Sequence, residues 1–190
     1  FPQIIFTDAT PVWDDNVILC MSLSKLGLPG VRTGIVIANE QVVRGLAGVN
    51  AIVNLTTGGF GAALTSEMIE SGDIISISTD VIRPFYEAKA NQAVALFRRE
   101  LNGYDFAIHK PEGAIFLWLW FPELPITSAE LYQRLKERGV LVIPGHYFFP
   151  GLADDWKHKH ECIRVTYSQS ADVVERGICI IADAVKRAYD

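Results

Sequence analysis

A lysine stands in the middle of a polar, turn-rich loop that two apolar runs bracket, and this arrangement limits the fold more than any other feature. Residues 16–20, Asn-Val-Ile-Leu-Cys, lead into Ser22-Leu-Ser-Lys25-Leu-Gly-Leu-Pro-Gly-Val-Arg32, and residues 34–38, Gly-Ile-Val-Ile-Ala, lead out of it. Short apolar runs closed off by Ser, Gly and Pro read as buried strands. Two strands are therefore expected with the lysine loop between them, and residues 3–7 are a further extended candidate. The stretch after residue 38 is helical in pattern. Asn39 is placed to cap a helix whose Val42, Leu46, Val49 and Val53 share one face. Thr56-Thr57-Gly58-Gly59-Phe60-Gly61 breaks that helix, and a second is predicted over 62–71. Thr79-Asp80 opens a long helix with Pro84 near its first turn, where a missing N–H costs little. Ile82, Phe85, Val94, Phe97 and Leu101 form its apolar stripe, and Asn102-Gly103 ends it.

From there on the pattern is a compact α+β unit. Residues 106–109 and 114–121 read as hairpin strands around Lys110-Pro-Glu-Gly113. Thr127-Ser-Ala-Glu130 is a capping box, and Gly139 stands where a helix C-cap belongs. Strands are predicted over 140–143 and 162–167, the second with Ile163 and Val165 on one face. The final helix aligns Val174, Ile178, Ile181, Val185 and Tyr189. Strands mixed with helices place the chain in the α/β class.

Composition removes several functions. With 190 residues, 49% of them hydrophobic, the chain is long enough to bury a core and too apolar to be disordered. Its net charge of −5, with no block of Lys or Arg, argues against a nucleic-acid binder. The longest apolar run, 114–121, is far short of the roughly 20 residues of a membrane helix. Cys20, Cys162 and Cys179 are an odd, widely spaced set, which fits a reducing compartment such as the cytoplasm better than a disulfide framework.

The chemistry lies in the lysine loop. Burial disfavours the charged form of a lysine, and a neutral amine is what attack on a carbonyl requires. Ser22 and Ser24 bring hydroxyls, and Arg32 brings a guanidinium that can grip two phosphate oxygens at once. Gly27, Pro29 and Gly30 let the backbone turn between them. From composition and spacing alone, an ordinary surface turn with solvated Ser and Lys is the commoner reading of such a loop.

The stretch Ser22-Leu-Ser-Lys25-Leu-Gly-Leu-Pro-Gly-Val-Arg32-Thr-Gly34 resembles the lysine motif of the class I/II pyridoxal-phosphate-dependent aminotransferases of fold type I: Ser-x-Ser-Lys, a Gly/Pro loop, then Arg and Gly. Three more blocks come in the family's order. Lys110-Pro-Glu-Gly-Ala-Ile-Phe-Leu-Trp118 resembles its Pro-x-Gly-x-Phe-x-Trp hairpin, Gly139-Val-Leu-Val-Ile-Pro-Gly145 its strand and loop beside the substrate, and Cys162-Ile-Arg164-Val-Thr the strand whose Arg binds the substrate α-carboxylate. The resemblance implies an α/β, aspartate-aminotransferase-like fold. Residues 1–85 would be part of the large cofactor-binding domain, and 86–190 the linking helix and the small C-terminal α+β domain. It implies pyridoxal 5'-phosphate as cofactor, Lys25 as the catalytic Schiff-base lysine, Ser22 and Arg32 on the cofactor phosphate with Ser24 assisting, and Arg164 on the substrate. For Arg164 there is also a direct argument, since a planar carboxylate is well held by a bidentate guanidinium. A strand Arg in a surface ion pair is, by itself, the commoner situation.

The implied reaction moves an amino group between an amino acid and a 2-oxo acid. Stretches 23–32 and 144–151 resemble a subgroup working on a small apolar pair, valine or alanine with pyruvate. Tyr147, Phe148 and Phe149 are candidates to line that pocket and equally candidates for plain packing. A homodimer is implied, with no nucleic-acid or membrane partner. The family's Asp for the pyridine nitrogen precedes the lysine loop in an Asp-x-x-Tyr context, which Asp8, Asp14 and Asp15 lack. The first residue is Phe1 rather than Met. The expectation is a C-terminal portion that does not turn over alone.

Two other classes compete. The Lys-to-Arg spacing is one residue shorter than in much of the family and resembles a subset that includes some aminotransferases and the aminotransferase-like effector domains of certain bacterial regulators, which would bind the cofactor without turnover. His158, His160 and Cys162 have period-two spacing that would align three metal ligands on an extended strand. A solvated approach to the Arg164 strand is the favoured reading there, so no metal is expected. Thr56-Thr57-Gly58-Gly59 could offer backbone amides to a phosphate, which the resemblance implies would be that of the neighbouring subunit's cofactor, or is simply a helix break.

Overall fold

The computed structural model describes residues 5–8, 12–26, 28–55, 58–152 and 154–190, without the side chains of residues 25, 26 and 29. The chain divides into two compact units, Phe1–Phe85 and Tyr86–Asp190. Among the described residues, no helix is long and apolar enough to cross a membrane.

In the first unit, β1 (Leu19–Ser22) and β2 (Gly34–Ile37) run antiparallel, Leu19 opposite Ile37 and Ser22 opposite Gly34. The loop between them folds as two 3-10 turns, Leu23–Leu26 and Pro29–Val31. Leu23 donates its N–H to the Thr33 carbonyl at 3.2 Å, and Leu28 to the Leu23 carbonyl at 3.3 Å, so the base of the loop is cross-braced. The strands are less buried than their apolar composition predicts. The Met21–Ile35 pair is half-buried while the Cys20–Val36 pair is exposed. A two-stranded ribbon needs a neighbour on each face. Here one small cluster, Leu23 and Ile74 with Leu28, Val31, Ile35 and Met68 against it, covers part of one face only.

α1 (Glu40–Asn54) starts where its cap predicts. The Asn39 side chain accepts the Val42 N–H at 2.9 Å, filling one of the four donors that a helix start leaves unpaired. None of its residues is buried, and Val49, Ile52 and Val53 are exposed. α2 (Phe60–Ser71) ends at Gly72, whose φ of 81° is left-handed. α3 (Asp73–Ser76) continues through a π turn, Ile77–Ile82, into α4 (Arg83–Glu100). The long helix thus begins at Asp73 rather than Thr79. Pro84 explains the π turn, because in a regular helix its ring would strike the carbonyl four residues back. Instead Arg83 N–H reaches the Ser78 carbonyl, five residues back, and the turn widens just before the ring.

The second unit is a four-stranded antiparallel sheet with helices. Its strands are β3 (Ala107–Ile108), β4 (Phe116–Trp120), β5 (Ile143–Pro144) and β6 (Cys162–Thr166), in the order β3-β4-β6-β5. Between β4 and β5 lies α5 (Ser128–Glu137), and α6 (Ala171–Tyr189) closes the unit. Thr127 Oγ1 accepts the Glu130 N–H at 3.2 Å, but the Glu130 carboxylate takes Arg134 at 2.6 Å instead of reaching back, so only half of the capping box forms. β5 starts later than the predicted 140–143 for a local reason. Val140 N–H bonds to the Leu135 carbonyl at 2.9 Å, which keeps that residue in the helix C-terminal motif around Gly139.

Period two sorts the sheet's faces. Leu117, Leu119 and Ile163 are fully buried, as are Phe97, Leu131, Leu135, Ile178, Ile181 and Val185; each such side chain contributes about 1.5–3 kcal/mol over its exposed state. The other face carries Phe116, Trp118 and Trp120 directly opposite Thr166, Arg164 and Cys162. Two phenols fasten the ends of this aromatic strand. Tyr167 donates its hydroxyl to the Ala114 carbonyl at 2.8 Å, and Tyr189 to the Pro122 carbonyl at 2.7 Å. Ala114 and Glu123, at φ 64° and 56°, are left-handed residues at those two points.

Candidate active site

The lysine loop sets out its polar groups at one end of the β1–β2 ribbon. Ser22, the last residue of β1, accepts the Ser24 N–H on its hydroxyl at 3.2 Å and keeps its own proton for another acceptor. Arg32 is held in the left-handed region at φ 48°, a conformation costing a non-glycine residue about 1–2 kcal/mol. It is exposed, and its side chain has no hydrogen bond or ion pair among the described residues. The start of α2 presses on the loop's exit, where a β-carbon on Gly61 would lie 1.9 Å from Thr33 Oγ1. Thr33 Oγ1 in turn donates to the Val31 carbonyl at 2.8 Å. Lys25 lies in the first 3-10 turn, and its side chain is outside the described residues, as are Gly27, Thr56 and Thr57.

In the second unit, Arg164 stands at the centre of β6, opposite Trp118 on one side and Ile143 on the other. Its guanidinium carbon lies 4.2 Å from the centre of the Phe116 ring and 4.7 Å from that of Phe148. Among the described residues no carboxylate pairs with it, so this is not the surface ion pair that an isolated strand Arg suggests. Two aromatic rings thus lie within cation–π distance of the guanidinium.

Farther along the chain, the extended alignment of His158, His160 and Cys162 that a metal would need does not form. Lys157–His160 is a 3-10 turn rather than a strand, and three residues per turn replaces alternation. His158 Nε2 meets Cys162 Sγ at 3.4 Å, while His160 Nε2 pairs with Asp155 at 2.8 Å. Among the described residues, no three His, Cys, Asp or Glu side chains are placed to share a metal. Burial pushes the Cys162 thiol up to about 12, so it stays protonated and unreactive near neutral pH. The expected result of iodoacetamide treatment of the folded protein, read by peptide mass, is modification of the exposed Cys179 and none of Cys162 until denaturant is added. Equal labelling of the two without denaturant would contradict that burial.

Glu161 escaped sequence reasoning altogether. It is buried at 5% exposure, accepting the Trp120 indole N–H on Oε2 at 2.8 Å and the Glu123 backbone N–H on Oε1 at 2.9 Å, with Lys157 Nζ 3.5 Å away. It sits where chain reversal brings strand ends together, and only tertiary structure reveals that.

The profile of the aminotransferase class I and II family matches residues 4–181, and the chain belongs to that family. Its fold is the α/β fold of type I pyridoxal-phosphate-dependent aminotransferases. The chain is 51% identical over 189 residues to valine–pyruvate aminotransferase from Escherichia coli (strain K12), a match covering 100% of this chain and 45% of that protein. The crystal structure of valine–pyruvate aminotransferase from Salmonella typhimurium LT2 superposes with a TM-score of 0.93 at 53% identity, covering 100% of this chain and 49% of that one. A putative amino-acid aminotransferase from Psychrobacter arcticum 273-4 gives a TM-score of 0.96 at 47% identity, over 100% of this chain and 44% of the other. The chain spans about half the length of the relatives it matches.

Proposed function

We propose that the protein carrying this chain is a pyridoxal-phosphate-dependent aminotransferase that exchanges an amino group between a small apolar amino acid, valine or alanine, and a 2-oxo acid, pyruvate, as a homodimer. One observation carries most weight: the Arg164 guanidinium lies against two aromatic rings with no acid of its own among the described residues. The lysine loop suits the cofactor. Arg32 has no partner for its charge among the described residues, and the Ser22 hydroxyl retains a proton to donate. Arg32 and Ser22 would hold the phosphate with Ser24 assisting, and Lys25 would hold the aldehyde carbon. When bound, the cofactor supplies a sink for the electrons left at the substrate Cα.

The chain's own residues do the rest. Lys25 Nζ would take the Cα proton as general base and, as general acid, deliver it to the carbon that carried the cofactor's aldehyde. Arg164 orients the substrate by two parallel N–H bonds to its carboxylate. Phe116 and Phe148, with ring centres 4.2 and 4.7 Å from the guanidinium carbon, reduce the water around it, which strengthens those bonds. The regulator-domain reading is not favoured, because the relatives at 51% and 53% identity are aminotransferases. In a test with the protein that carries this chain, supplied with pyridoxal 5'-phosphate, valine and pyruvate, alanine and 3-methyl-2-oxobutanoate should form in equal amounts. Failure to form alanine from pyruvate with any small apolar donor would sink the proposal.

A further inference from the structure

We infer that Phe148 is a positioning residue for Arg164 and so sets the affinity for the substrate's carboxylate; this rests on the aminotransferase reading above. An arginine rising from a strand has a long, flexible side chain, and ordering it at the moment of binding lowers affinity. Phe116, on the neighbouring strand β4, has its ring centre 4.2 Å from the guanidinium carbon. A second ring, Phe148, lies 4.7 Å from it and comes from the 3-10 turn Gly145–Phe148 after β5.

That turn is seated by a close approach. A β-carbon on Gly145 would fall 2.7 Å from Cys162 Cβ, 2.7 Å from the Lys159 carbonyl and 2.8 Å from the Cys162 carbonyl, so only glycine lets the backbone lie against β6. Phe148 is then braced from behind. Trp118 meets it edge-on, with ring centres 5.2 Å apart at 88°. The ring is still 38% exposed, so its place over the cation is not explained by core burial. With two rings against it, the guanidinium has fewer orientations left to lose when a carboxylate binds.

The test uses the holoenzyme with Phe148→Ala, Phe148→Leu and Phe148→Tyr. Loss of the ring should raise KM for valine and for pyruvate about tenfold while kcat stays within about twofold, the pattern of an interaction made equally in ground and transition states. The Ki of 3-methylbutanoate, which keeps the carboxylate and lacks the amine, should rise by the same factor. The Ki of isobutylamine, which keeps the amine and lacks the carboxylate, should not move. Phe148→Tyr should restore both constants, and Phe148→Leu should behave as Phe148→Ala. Equal shifts for the two inhibitors, or rescue by leucine as good as by tyrosine, would overturn the inference. Arg164→Lys separates the two levels. If it raises the Ki of 3-methylbutanoate and Phe148→Ala does not, the role of Arg164 stands and that of Phe148 falls. If it leaves that Ki unchanged, the assignment of Arg164 fails and the inference with it.

Discussion

Replacing Lys25 by arginine is expected to lower transamination by at least about a thousandfold, because general acid–base transfer alone contributes roughly a hundred- to ten-thousandfold and the covalent route is lost with it. Arginine keeps the charge and gives up the nucleophile, since its guanidinium stays protonated at any working pH. The fold should survive. Among the described residues the loop is anchored by the buried Leu23 and by the backbone bonds of Leu23 and Leu28. Borohydride reduction of the cofactor-loaded protein followed by peptide mass mapping should place the label on Lys25 in the parent and nowhere in the variant. A label on another lysine in the parent would refute the assignment.

The largest effect on stability is expected from Glu161→Ala. The substitution strands two buried donors, the Trp120 indole and the Glu123 backbone N–H. Each orphaned buried donor costs about 1–3 kcal/mol, so a loss of a few kcal/mol is expected. Lys157 adds little, being more than half exposed. Glu161→Gln retains a single carbonyl oxygen, so it should fall between parent and alanine. Denaturant unfolding followed by tryptophan fluorescence measures all three. A loss under about 1 kcal/mol for Glu161→Ala would show that the carboxylate does not fasten the strand end.

Local signals were legible wherever one residue decides. Asn39 and Thr127 cap the helices that they precede, and Gly103 and Gly139 sit in the left-handed conformation just past helix ends. The hairpin pairing of β3 with β4 and the stripe of α6 also agree with their spacing in the chain. Features that depend on distant partners were not legible. The exposure of Val36 depends on what covers the ribbon, and alternation cannot report that. His158 and His160 diverge because the backbone tightens into a 3-10 turn, which the polar run Lys-His-Lys-His does not announce. Pro84 was visible, but its consequence, a π turn six residues long, arises from a helix already running when it reaches the ring. For the site, the types of Arg164, Phe116 and Phe148 were visible, and their stacking was not, since Phe148 arrives from a turn sixteen residues away in sequence.

The strand Phe-Leu-Trp-Leu-Trp, which carries the wall behind Arg164, is nearly degenerate under a slide of two positions. Leucines would still point inward and aromatics outward, so the hydrophobic pattern cannot choose among such offsets. The two phenolic hydroxyls can, because each recognises one carbonyl, at Ala114 and at Pro122, and both would be stranded by any slide. Two hydrogen bonds far from the guanidinium therefore decide which indole it faces.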